Sequence, residues 1–194
     1  MSAAPHSPAL ILASASPRRS ELLRQLTSDF EIITANTDEI QPEHLSPAEI
    51  CQVNAHRKAV AVAKSHPDRI VLAADTLVFL GTRVYGKPGS MAQALEMLRE
   101  LQGRAHSVIT GVCLAGPRPR PADIFAEITT VRFKPLSKEA IACYHKLVNP
   151  LDKAGAYGIQ EHGEQIIESI EGSYSNVVGL PLERLKPKLA ELLR

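Results

Sequence analysis

Ile70–Phe79, IVLAADTLVF, constrains the fold of this chain more than any other stretch. Its residues are apolar almost without interruption, as in a strand covered on both faces rather than one facing water. Such a strand belongs in the middle of a layered α/β domain, with helices supplying the two covers. The run is broken once, by Asp75-Thr76. A carboxylate inside a buried strand is costly unless it is paired or bound to a cation, and no cation adjoins it in sequence. Two readings of Asp75 stand at this point. Either the strand ends there and Asp75 caps a turn, or Asp75 is a magnesium ligand or general base where α/β sheets carry their sites. The apolar Leu77, Val78 and Phe79 beyond it favour the second.

The N-terminal stretch LILASASPRRSELLRQL reads as a short buried strand over Leu10–Ala13, a turn of small residues from Ser14 to Ser16, and a helix opened by Pro17. Leu22, Leu23 and Leu26 share one side of that helix. Arg18 and Arg19 fall in its first turn, where the helix dipole opposes cations unless an anion binds among the free N–H groups. A phosphate site and a solvated arginine pair are both compatible with this stretch alone.

The remaining elements alternate. Phe30–Thr34 predicts a second strand leading to Asp38-Glu39. Ser46-Pro47-Ala48-Glu49 is a capping box, opening a helix that carries Lys58 and runs to about Lys64. Val84–Pro88 returns from a turn and brings Lys87. Met91, Ala94, Leu95, Leu98 and Leu101 keep helical spacing up to Gly103. Strands are expected over His106–Leu114 and Ile124–Phe133, joined by an exposed hairpin loop at Gly116–Pro121. Ser137 caps a helix to about Val148. Asp152–Gln160 is glycine-punctuated and has the character of a loop held by a site. A short apolar run at Ile166–Ile170 and an amphipathic helix after Pro181 complete the chain. The 194 residues suit one α/β domain, a mixed twisted sheet flanked by helices with an ordered core from about residue 9.

Composition narrows the function. A net charge of +1 gives no global field toward nucleic acid or membrane, so anion recognition must be local. With 4% aromatics and no Trp, base-stacking platforms are not expected. Cys51, Cys113 and Cys143 are odd in number and far apart, which suits small core residues in a reducing compartment. No stretch approaches a membrane span, and the N-terminus has no signal-peptide pattern. His106, His145 and His162 lack ligand spacing and read as structural. No Walker A, G-x-G-x-x-G or G-x-S-x-G motif is present. Glu39 and Asp75 with Lys58 and Lys87 form a collective pattern that suits an oxygen-preferring metal and a polyphosphate, not zinc.

LASASPRRSELL, the Glu39 region, Arg57-Lys58-Ala59, AADTLV, GKP, HSVITGV, DKAGAYGIQ and GSYSNVVGLPL occur in that order. Together they resemble the Maf family of nucleoside triphosphate pyrophosphatases along nearly the whole chain. The resemblance implies a cytoplasmic, homodimeric α/β protein similar in fold to the inosine triphosphate pyrophosphatases. It implies cleavage between the α and β phosphates with Mg²⁺ or Mn²⁺. The family's phosphate-binding residues fall on Ser14, Arg18, Arg19, Lys58 and Lys87, its acidic residue on Glu39 and its proton acceptor on Asp75. Its base-choice positions fall on Arg18, Thr76 and Gln160. Metal ligation is expected at Glu39 and Asp75. DKAGAYGIQ resembles the subgroup acting on dTTP and UTP, with departures at Glu161 after Gln160 and Gln102 before Gly103. The rival reading is a non-catalytic nucleotide-binding regulator of cell division. Such a protein would need the cations but not Asp75.

Overall fold

The computed structural model describes residues 9–117 and 121–193. Seven strands form one mixed sheet: β1 (Leu10–Leu12), β2 (Phe30–Ile32), β3 (Ile70–Leu80), β4 (Arg83–Tyr85), β5 (Ala105–Ala115), β6 (Asp123–Phe133) and β7 (Ile167–Glu171). Their order is β2-β1-β3-β5-β6-β7, with β4 on β3. β1 runs parallel to both β2 and β3, and every other pairing is antiparallel. The helices are α1 (Pro17–Arg24), α2 (Pro47–Ala63), α3 (Met91–Leu101), α4 (Lys138–Leu147), α5 (Tyr174–Val178) and α6 (Leu182–Leu192).

The central strands sort their side chains by the two-residue period of the pleat. Leu10, Leu12, Ile70, Leu72, Ala74, Val112 and Leu114 face one way, packing on α1 and α6. Ile11, Ala13, Val71, Ala73, Cys113 and Ala115 face the other way, against Ala55, Ala59 and Val62 of α2. Both covers anticipated from Ile70–Phe79 are therefore present. The α2 face is lined with small residues, so this helix sits close to the sheet. At the closest point a Cβ built on Gly111 would lie 2.3 Å from the carbonyl carbon of Cys51. Only a residue without a side chain fits there. Ser46 and Glu49 form the anticipated capping box at the start of α2.

The site is positioned by a mismatch in strand length. β1 stays in register with β3 only as far as Leu12–Leu72, and β4 pairs with β3 only from Val78, opposite Tyr85, to Leu80. Between these points β3 is paired on its β5 side, with Asp75 opposite Gly111 and Thr76 opposite Thr110. Its other edge opens into a cleft. Asp75 thus lies mid-strand, and the turn-capping reading is excluded.

Several expectations need correction. The second strand stops at Ile32 instead of Thr34, because it is an edge strand with Glu31 and Ile32 exposed. Cys143 lies exposed on α4 and is not a core residue, unlike buried Cys51 and Cys113. The short helix α5 falls inside GSYSNVVGLPL, where no helical element is expected from periodicity. β5 and β6 do form a hairpin, while residues 118–120 of the expected loop lie outside the described residues. The Asp152–Gln160 segment is not a plain loop: it follows directly on a 3₁₀ turn, Pro150–Asp152, and contains another, Ala154–Ala156.

Candidate active site

Two adjoining cavities, of about 130 Å³ and about 310 Å³, open beside the free edge of β3. Their shared wall is Ser16, Arg18, Arg19, Glu39, Lys87 and Asp152. Asp75, Thr76 and Gln160 line the smaller cavity, and Ser14 and Lys58 the larger. Every site residue expected from the sequence therefore lines one cavity or the other. They come from elements separated by up to most of the chain.

Asp75 is 2% exposed. Its Oδ1 accepts from Lys58 Nζ at 2.7 Å and its Oδ2 from Asn54 Nδ2 at 3.1 Å. Lys58 Nζ also donates to Glu39 Oε1 at 2.7 Å, so one ammonium bridges two carboxylates. Burial raises the Asp75 carboxyl above the ordinary value, with the Lys58 charge opposing. Glu39 moves the other way. Burial works against its ionisation, but the Lys58 hydrogen bond and charge outweigh that and bring the carboxyl below its usual value.

Asn54 escaped the sequence reading. It is 1% exposed, and its amide exchanges hydrogen bonds with both Ile40 N–H (2.9 Å) and Ile40 C=O (3.0 Å) while also reaching Asp75. It thereby anchors the segment after Glu39 to the same helix that carries Lys58. The available signal was spacing: Asn54 and Lys58 are four apart and so share a helix face. Thr37 was missed as well. It lines the larger cavity, and its buried Oγ1 has no hydrogen-bond partner.

On the opposite side, Arg19 is held by three acceptors, Gly179 O at 2.9 Å, Thr76 Oγ1 at 3.0 Å and Ser14 Oγ at 3.3 Å. Gly179 adopts φ +126°, which turns its carbonyl toward the guanidinium and suits glycine. Arg18 donates to Asp152 Oδ2 at 3.0 Å and to Asp152 O at 3.2 Å. Neither arginine is the solvated surface group of the bland alternative. The N-cap Ser16 makes no side-chain cap, and no acidic residue lies in the first turn of α1. Lys87 is exposed at the cavity wall. Gln160 is exposed and lines the smaller cavity.

Among the described residues no three His, Cys, Asp or Glu side chains converge as a metal cage. Glu39 and Asp75 do converge on one point, the Lys58 ammonium, and both are oxygen donors. One or two carboxylates completed by substrate phosphates is the usual way Mg²⁺ is held, so these residues fit such an ion.

The fold and site define a mixed α/β protein with a cation-rich, carboxylate-bearing cleft at the open edge of its central strand. Residues 9–192 match the model of the Maf family, described as Maf-like protein, and the chain belongs to this family. It is 46% identical over 180 residues to the dTTP/UTP pyrophosphatase of Pelotomaculum thermopropionicum, covering 93% of this chain and 94% of that one. It is 48% identical over 182 residues to the dTTP/UTP pyrophosphatase of Symbiobacterium thermophilum, covering 94% and 93%. In structure it resembles the Ham1 protein of Staphylococcus aureus, with a TM-score of 0.54 at 17% identity over 94% of this chain and 98% of that one. That likeness concerns the fold.

Proposed function

We propose that this chain hydrolyses dTTP and UTP to the nucleoside monophosphate and pyrophosphate, as the names of its relatives state for them. The observation that carries this is the buried Asp75 carboxylate, paired with the Lys58 ammonium, in a cleft also lined by Arg18 and Arg19.

The reaction asks for charge neutralisation, positioning and one proton acceptor. Arg18 and Arg19 present planar donors to phosphate oxygens, with Ser14 Oγ, Lys58 and Lys87 adding further donors around the same cavity. A water attacking the α-phosphorus forms a new P–O bond as the bond to the bridging α,β oxygen breaks. Its proton passes to the Asp75 carboxylate, and pyrophosphate departs with the bonding electron pair. A carboxyl raised by burial is a better base for this step than an ordinary aspartate. Glu39 and Asp75 would hold a divalent Mg²⁺ or Mn²⁺, which supplies charge neutralisation at the phosphates when bound. Lys58 bridges both carboxylates.

Gln160 offers one amide donor and one acceptor, matching N3–H and an adjacent carbonyl of uracil or thymine. Thr76 is small, and its hydroxyl is already engaged by Arg19 and Thr110, so it leaves room for the nucleotide. No helix among the described residues is long and apolar enough to cross a membrane. A cytoplasmic location and a homodimer rest on the family resemblance.

The second reading, a nucleotide-binding regulator without turnover, leaves the burial of Asp75 beside Lys58 without a purpose. Pyrophosphate release from UTP, dTTP, CTP, GTP and ATP with Mg²⁺, in wild type and in Gln160→Ala, tests the proposal. Rapid turnover of UTP and dTTP, with the ranking relaxed in the variant, is expected. Nucleotide binding without turnover would favour the regulator.

A further inference from the structure

Lys153 is 4% exposed, an unusual place for a lysine. Its ammonium donates to Asn149 O at 2.8 Å and to Asp152 Oδ1 at 2.9 Å, and it forms an ion pair with Glu161 Oε1 at 3.0 Å. Asp152 uses its other oxygen for Arg18. The result is an alternating chain of charges, Arg18–Asp152–Lys153–Glu161, with two cations and two anions. One end is an arginine of the phosphate wall. The other is the residue immediately after Gln160.

The loop between them is shaped to receive this lysine. A Cβ on Gly158 would lie 2.7 Å from Lys153 Cε, and the ammonium, with three partners, cannot swing aside. Tyr144 Oη accepts from Gly158 N–H at 3.0 Å and donates to Gly158 C=O at 3.2 Å, which fastens the backbone over the lysine stem. The Gln160 end is otherwise thinly held, since Gln160 itself is exposed and Glu161 N–H makes a long 3.4 Å bond to Gly158 O.

We infer that Lys153 and Glu161 form a specificity-determining positioning pair, which sets the distance between Gln160 and Arg18 and so the fit of the base. The inference rests on the assignment of Gln160 to the base above. Substrate binding pulls on this network from both ends, because Arg18 must serve phosphate while bound to Asp152. Loss of the pair frees the Gln160 loop without touching Asp75, Lys58 or Glu39. The signature is therefore in KM and base ranking, not in kcat.

The test uses Glu161→Gln, Lys153→Met and the double variant of the full chain, with kcat and KM measured for UTP and GTP and the melting temperature recorded. Glu161→Gln removes one charge from a side chain that is 40% exposed, so the fold is kept. Its KM for UTP is expected to rise about fivefold, the upper range for a pair with one exposed partner. The UTP-to-GTP ratio of kcat/KM should fall while kcat for UTP stays within about twofold. Lys153→Met strands two carboxylates, and its KM should rise more than about tenfold. The double variant should be no worse than Lys153→Met, as expected for coupled residues. A folded Glu161→Gln protein with unchanged KM and ranking overturns the inference, as do multiplicative effects in the double variant. If Lys153→Met does not fold, Glu161→Gln alone decides. A wild-type protein that turns over neither UTP nor dTTP overturns the functional assignment, and this inference with it. An active wild type with an indifferent Glu161→Gln overturns only the pair.

Discussion

The Asp75 carboxylate and the Lys58 ammonium lie 2.7 Å apart, joining β3 to α2 beside the open edge of the sheet. The side chains are 3% and 15% exposed, so the pair is largely withdrawn from water. Paired charges in such a place are held in register by what surrounds them, here Asn54 on one side and Glu39 on the other. Removing one member leaves the other uncompensated, which is more damaging than never having had the pair. The two residues are 17 apart in sequence, and only the docking of α2 on β3 brings them together.

Asp75→Asn is expected to fold and to lose nearly all turnover. The amide is near-isosteric, and Lys58 keeps Glu39 as a partner, but the amide cannot take a proton from water. Loss of a general base lowers rates by about 10²–10⁴-fold. Steady-state pyrophosphate release from the purified variant checks this; a drop of less than about tenfold would make Asp75 a structural residue.

Arg19→Lys keeps the charge and removes the fork that reaches Gly179 O, Thr76 Oγ1 and Ser14 Oγ together. A fall in kcat/KM of at least about tenfold is expected, because a point charge cannot hold both the wall and a phosphate. An unchanged value would show that Arg19 serves only as a positive charge.

Gly111→Ala should destabilise the whole protein by more than about 3 kcal/mol, or prevent folding. The added Cβ meets backbone atoms of Cys51 and Gln52, which cannot rotate out of the way. Any relief lifts α2 from the sheet and carries Asn54 and Lys58 away from Asp75. Urea unfolding of the variant measures the loss. A change below about 1 kcal/mol would mean that α2 does not need this close approach.

Acid should weaken the fold through His106. Burial pushes its pKa down to about 4, and its Nε2 is paired with the Tyr157 hydroxyl at 2.8 Å. The unfolded chain, near 6.5, binds more protons than the folded one across this window. Stability is therefore fully present above about pH 6.5 and declines as pH falls toward 4, by an amount on the order of 3 kcal/mol. His145 shifts in the same direction through burial. Urea midpoints of wild type and His106→Leu at pH 7 and pH 5 test the assignment: the variant should lose less on acidification, and equal losses would place the acid sensitivity elsewhere.

Much of the fold could be read from local pattern alone. Apolar runs at Leu10–Ala13 and Ile70–Phe79, the capping box at Ser46–Glu49 and the heptad-like spacing of Met91–Leu101 are properties of neighbouring residues, so they survive in one dimension. The candidate site was legible for a different reason. Glu39, Lys58 and Lys87 say little separately, and it was their occurrence among ordered motifs that singled them out. Tertiary structure alone decided the rest. Asn54 became a partner of Asp75, and Lys153 the link between Arg18 and the Gln160 loop, because polar groups buried by packing must find acceptors wherever the chain happens to bring them. The cleft itself has no sequence signature. It exists because β1 ends opposite Leu72 while β3 continues to Leu80, and strand pairing between distant segments is settled by the whole sheet, not by either strand.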